Sequence, residues 1–313
     1  MRKLFFFLLI SISIVTEVYS FQDVKIVPPN DSIPDRKKDT VCYKYSFQRG
    51  DTITYSLTSS DSIAINYGAP LTKIRNELFE LVCDSLSQRG TFFITLELLD
   101  YVGYENYGVN KNVEVRENPW KNRKVQLEID SLGQRLSWEI SDSINPAISA
   151  GGAFQSYLLF WLKEPCKAIE ETWMTSSTDE LAENGFPIPL LKQSTLYQMK
   201  SPIDTLNDSC VNIEFIKTGQ GSITLNEPNG INKMNSIINS FGKIYISRTR
   251  NLPVYFFNTI EQKLTIIGSE GEEQKGWHYI TSHFTLKQIK HYIPKIEKSK
   301  PVPEQIKKKT KKK

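Results

Sequence analysis

The sequence predicts a mainly β protein, built as one large curved antiparallel sheet or incomplete barrel with a single central apolar helix. Three observations lead there. Apolar residues alternate with polar ones in about ten segments, the period of strands with one buried face. The segments are joined by Gly/Asn/Asp turns, too short for crossover helices, so neighbouring strands pair antiparallel. About ten strands exceed what a flat open sheet holds, so the sheet curls or splits. At 313 residues and 39% hydrophobic, the chain can bury a substantial core.

The chain starts as a secretory signal does. Arg2 and Lys3 precede the apolar run Leu4 to Val15, broken only by Ser11 and Ser13, and Val18-Tyr19-Ser20 is a small-x-small cleavage site. Residues 1–20 are therefore expected to be a signal peptide, with the mature chain starting near Phe21 and exported to the periplasm or cell surface; the rival reading is an uncleaved N-terminal anchor, for which twelve apolar-run residues are short. No cysteine follows the apolar run, which argues against a lipoprotein anchor. Residues 21–40, with prolines at 28, 29 and 34, form an extended linker.

A single antiparallel domain is expected over residues 41–292. Its first strands carry Ile53, Tyr55 and Leu57, then Phe92, Ile94, Leu96 and Leu98. The clearest hairpin is residues 125–140: Val125, Leu127 and Ile129 face one way, Asp130-Ser131-Leu132-Gly133 turns the chain, and Leu136, Trp138 and Ile140 return the apolar face. Residues 146–163 break the pattern. Phe154, Leu158 and Trp161 recur at helical spacing with Tyr157, Leu159 and Phe160 beside them, and a helix apolar on nearly all sides must be enclosed. It is either the core helix or a lid hinged at Gly151-Gly152, and Phe154, Tyr157, Leu158 and Trp161 are its candidate ligand-binding residues.

The second half continues in strands. Val211, Ile213 and Phe215 alternate ahead of Gly219-Gln220-Gly221, which reads as a hairpin turn, and Ile223 and Leu225 follow. Asn232 to Phe241 has helix-like spacing between turn-rich flanks. Strands 243–249, 253–258, 263–268 and 277–289 complete the count. From Lys295 onward nine lysines face two glutamates, a net of +7, while residues 21–294 carry 28 bases and 32 acids. Residues 293–313 therefore form a disordered basic tail, with a solvated tail or contact with an anionic surface as its two readings.

Cys42, Cys83, Cys166 and Cys210 are the disulfide candidates. An even count in an exported chain permits two bridges in three pairings, and no close pair suits zinc. Free buried thiols are the other reading. The histidines, His278, His283 and His291, do not converge, and no hydrolase, nucleotide-binding or metal motif is present. The expectation is a non-enzyme with no cofactor and no specific nucleic-acid binding. Arg49-Gly50-Asp51 has the form of an adhesive tripeptide, but Gln88-Arg89-Gly90 opens another strand without the aspartate, so both read as turns.

The order of motifs resembles secreted β-rich proteins of bacteria with two membranes: Gly50-Asp51-Thr52 leading to Tyr55, Ile129-Asp130 leading to Gly133, Pro165 eight residues before Trp173, and a last strand ending TSHFTLKQI. It is also loosely similar to the outer-membrane lipoprotein carrier class. That resemblance implies a half-barrel with a helical lid and an apolar cavity that takes lipid or lipopeptide. Two functions follow as expectations: an apolar ligand or lipid held in the concavity of the sheet, or a structural or protein-interaction module of the envelope with a filled core.

Overall fold

The computed structural model describes residues 39–118, 121, 124–140, 159–183, 186–227 and 230–291. The described residues belong to one compact unit. Fourteen strands are present: β1 Thr40–Cys42, β2 Thr52–Ile65, β3 Leu71–Leu86, β4 Phe92–Tyr107, β5 Asn110–Val115, β6 Lys124–Ile129, β7 Arg135–Ile140, β8 Cys166–Ala168, β9 Thr172–Glu183, β10 Phe186–Thr205, β11 Asp208–Glu227, β12 Gly230–Ser247, β13 Pro253–Ile267 and β14 Glu273–Lys290. Twelve share one antiparallel sheet in the order β7-β6-β4-β3-β2-β14-β13-β12-β11-β10-β9, with β5 paired to β4. The terminal strands β7 and β9 do not pair with each other, so the sheet stays open.

The sheet curls. Phe92 on β4 and Tyr197 on β10 are seven strand steps apart, about 34 Å in a flat sheet. Yet four ring contacts connect them, Phe92–Phe47, Phe47–Tyr45, Tyr45–Phe160 and Phe160–Tyr197, none longer than 6.4 Å between centroids. Only an inward bend brings the two strands that close.

What spans the bend is a strap of two chain segments. Residues 41–47 alternate strictly, with Val41, Tyr43, Tyr45 and Phe47 buried and the residues between them exposed. Residues 159–169 run beside them: β1 pairs with β8, the Tyr43 N–H donates to Pro165 O at 2.7 Å, and a disulfide joins Cys42 to Cys166. The Tyr45 hydroxyl both donates to Phe160 O and accepts from Phe160 N–H, each at 3.2 Å. Tyr43 and Tyr55 hydroxyls cap Asn251 O and Pro253 O at 2.8 and 2.9 Å. Each buried phenol thus has the partner its burial requires.

The expected central helix is not found. No helix occurs among the described residues, and residues 159–163, its predicted last turn, form part of the strap, with Lys163 at φ 64°. Residues 146–158, including Phe154, Tyr157 and Leu158, lie outside the described residues. Phe160 and Leu162 are buried against the inner face of the sheet, so the apolar density of this segment reflects enclosure in an extended conformation. The helix-like run 232–241 is strand as well, within β12, and Gly219-Gln220-Gly221 is no turn but mid-strand in β11, paired to both β10 and β12. Long neighbours on both sides supply ladder partners that override the local turn signal.

The hairpin of β6 and β7 forms as expected, with a register shift between Glu128 and Ile129 that leaves Ile129 buried and Leu136 half exposed. Gly133 has φ 83°, and a Cβ there would sit 2.2 Å from Phe160 O, so only glycine lets this turn meet the strap. The expected signal 1–20 and tail 293–313 lie outside the described residues, as does the expected linker 21–40 except for Asp39 and Thr40, the latter already in β1.

Candidate functional site

The inner face changes character along the strands. Near the strap, Leu57, Phe284, Phe256, Ile244, Ile213 and Met199 form one row in register across six strands, all buried. Two residues further along β2, β14 and β13 the row turns polar, with Ser59, Ser282 and Asn258 in register, while β11 and β10 keep Phe215 and Tyr197 there. Beside it stands an ion network. Arg75 on β3 reaches Glu77 Oε1 with Nη1 at 2.8 Å, and Ser59 Oγ and Asp61 Oδ1 with Nη2 at 3.0 and 3.2 Å. Its Nε lies 2.8 Å from Asp61 Oδ2, close enough for ion pairing but not aligned as a hydrogen bond.

This network is buried. Burial pushes the Glu77 carboxyl above its ordinary value, and Arg75 offsets that only in part. Burial also pushes the nearby His278 imidazole down, with Arg75 adding to the effect and Asp61 opposing it. Glu77 Oε2 and His278 Nε2 are buried without a hydrogen-bond partner. The cluster therefore holds a neutral imidazole and one guanidinium shared by two carboxylates. His278 Nε2 bonds to no hydroxyl, and the Ser59 hydroxyl donates to Asp61 Oδ1 at 2.6 Å. Among the described residues no three His, Cys, Asp or Glu side chains are placed to hold a metal ion.

The outer face carries the opposite surprise. Met174, Leu196, Ile216 and Phe241 lie in register on β9, β10, β11 and β12 and all point away from the strap, each at least 40% exposed. Beside them runs a groove of about 420 Å³ lined by Leu196, Ile216, Phe241 and Phe257, with Gln198, Glu214 and Lys243 along its polar side. Aromatic rings continue the surface: Phe241 contacts Phe257, Phe257 contacts His283, and the Tyr255 hydroxyl meets His283 Nδ1 at 2.9 Å. This exposed apolar run is contiguous across four strands, unlike singly scattered apolar residues.

Of the four candidate ligand-binding residues, only Trp161 is described. It is half-buried in the strap, its carbonyl accepts the Trp173 indole N–H at 3.2 Å, and Lys163 Nζ lies 5.4 Å from its ring centroid. Two of the four disulfide candidates pair, Cys42 with Cys166; Cys83 and Cys210 are free and buried. Such a bridge persists in compartments outside the reducing cytoplasm. Asp51 of the Arg-Gly-Asp tripeptide is 4% exposed, accepts the Gln48 N–H at 2.7 Å and faces His291 Nδ1 at 3.0 Å, so its carboxylate is engaged within the fold. Sequence reasoning missed two features. The alternation Val41-x-Tyr43-x-Tyr45-x-Phe47 was a signal for the strap, whereas the outer row has none, because its four members are far apart in sequence.

No family model matches the chain, and no curated protein matches it. Among solved structures, lipovitellin, studied for its lipid-protein interactions, is 12% identical over 80% of this chain and 26% of its own length, with a TM-score of 0.43. A putative exported protein with YmcC-like fold from Bacteroides fragilis is 11% identical over 80% of this chain and all of its own, with a TM-score of 0.19. At these scores neither likeness bears on what this chain binds.

Proposed function

We propose that this is a non-catalytic, exported interaction protein whose working surface is the outer face of the sheet across β9 to β13. The observation that carries the reading is the contrast between faces. Inward positions are buried, near the strap by the protein's own tyrosines and phenylalanines, whereas outward Met174, Leu196, Ile216 and Phe241 form an exposed apolar row above a groove. An inner face buried by the chain's own side chains favours an interaction module over a carrier, because a carrier needs an apolar void. The non-catalytic part of the reading draws on the buried network, where the Arg75 guanidinium is engaged by Glu77 and Asp61.

A solvatochromic apolar dye tests the surface. Wild type is expected to enhance its fluorescence, and the double variant Ile216→Ser, Phe241→Ser to lose most of that signal while melting at nearly the same temperature, since exposed substitutions shift stability by about 0.5 kcal/mol or less. An undiminished signal in the variant would count against the outer face. Lipid retained by the protein from its own source would instead favour the ligand-in-concavity reading.

A further inference from the structure

The outer row ends at an open strand edge. Among the described residues β9 pairs with β10 alone and ends the sheet. Which of its backbone groups face outward follows from the neighbouring bonds. The Met199 N–H donates to Glu171 O, and Glu170 N–H to Met199 O, so Met199 turns its polar groups toward β9. Antiparallel alternation then turns Tyr197, Thr195 and Gln193 the same way and bonds them to their partners Trp173, Thr175 and Ser177. The intervening residues Thr172, Met174 and Ser176 direct N–H and C=O to the open side. Because Trp173 is buried inward, the side chains of these same three residues stand on the outer face.

Proteins blunt such edges with charge, proline, a bulge or a very short strand. The opposite edge, β7, is short, with six residues that include Arg135 and Glu139. From Thr172 to Thr178, β9 has none of these devices: TWMTSST is uncharged, lacks proline and pairs with β10 without a register shift. We propose that this edge takes an extended strand from a partner protein, adding a thirteenth strand whose residue opposite Met174 extends the apolar row. The proposal rests on the outer-face reading above and names the kind of partner. Main-chain bonds supply the affinity in this mode, and pockets for alternate side chains supply the selectivity.

A second copy fits the edge less well. Antiparallel self-pairing centred on the uncharged run, with Met174 opposite Ser176, brings Glu170-Glu171, just before β9 in one copy, near the Asp179-Glu180 stretch of β9 in the other. Each cation beside the first pair already serves two acids, Lys167 with Glu164 and Glu171, and Lys200 with Glu170 and Glu214. Like charges directly opposite destabilise a ladder. The strand that fits is uncharged and alternately apolar through its middle, with basic residues at its ends.

The probe is a synthetic peptide alternating valine and threonine with lysine at both ends, titrated calorimetrically into the full chain. Wild type is expected to bind it and to bind the same peptide ended in glutamate more weakly. Ser176→Pro removes one outward N–H, keeps the main-chain bonds to β10 and the apolar row, and gives up only the 3.0 Å hydroxyl contact with Ser194; it should weaken binding about tenfold, the scale of a lost main-chain hydrogen bond. Amide exchange on wild type gives an independent readout, with slowing at Met174 and Ser176 when the peptide is present. If Ile216→Ser weakens binding but Ser176→Pro does not, the edge is excluded while the outer face stands. Absence of binding at millimolar peptide, or amide protection confined to other strands, overturns the inference. A concentration-dependent dimer abolished by Ser176→Pro overturns the partner assignment in favour of self-pairing.

Discussion

At the residue scale the chemistry is set by burial. Cys42 and Cys166 are 124 residues apart in sequence, and closing a loop of that length stabilises the fold by about 4 to 5 kcal/mol in the chain-entropy view. Burial pushes the Cys83 thiol up to about 11, with Asp51 and Asp84 adding to it, and burial raises Cys210 as well. Thiol titration without reductant is therefore expected to find almost none in the native protein and two in denaturant; four would mean the bridge is absent. His278 makes a pH prediction. Its folded pKa lies below the ordinary 6.5, so the unfolded chain takes up a proton first: the stability it contributes is complete above 6.5 and is lost as pH falls through 6.5 toward the folded value. Glu77 runs the other way, because its folded pKa is raised above 4.5 and its contribution is lost as pH rises through that raised value. Urea melts of His278→Gln should lose less stability than wild type on acidification below pH 6.5. Equal losses would place the acid sensitivity elsewhere. The sequence showed that Asp51 and Gly133 sit in turns, but not that a carboxylate at 51 would be met by His291, 240 residues on.

At the element scale the strap decides which face is inside. Tyr45 is buried at the junction of both strap segments and contacts Tyr43, Phe47 and Phe160. Tyr45→Ala should cost about 3 to 5 kcal/mol, while Tyr45→Phe should cost about 1 to 3 kcal/mol by leaving the Phe160 backbone groups unsatisfied; chemical denaturation of both measures the difference. Gly133→Ala meets a positive φ and Phe160 O together, and is expected to destabilise by about 2 kcal/mol or more. Strands were legible wherever one face is buried and the other wet, as in β2 and β13, because that asymmetry writes period two into the sequence. Residues 159–163 were not, since an extended segment enclosed by aromatic neighbours is apolar at consecutive positions and imitates a buried helix. Gly219 and Gly221 misled for a related reason: glycine signals a turn locally, but strands on both sides hold it in the ladder.

At the scale of the whole molecule, the twelve-stranded sheet curls until a strap of the chain's own aromatic side chains joins β4 to β10, and its inner positions are buried. The antiparallel sheet could be expected from segment count and turn length alone. Which face would carry function could not, because Met174, Leu196, Ile216 and Phe241 meet only through pairing register. The account stands or falls on the inner face being filled by protein rather than by a ligand. Native mass spectrometry of the protein purified from its own source measures this most directly. The prediction is the mass of the polypeptide with one disulfide and no adduct; a retained lipid that leaves only on unfolding would contradict it.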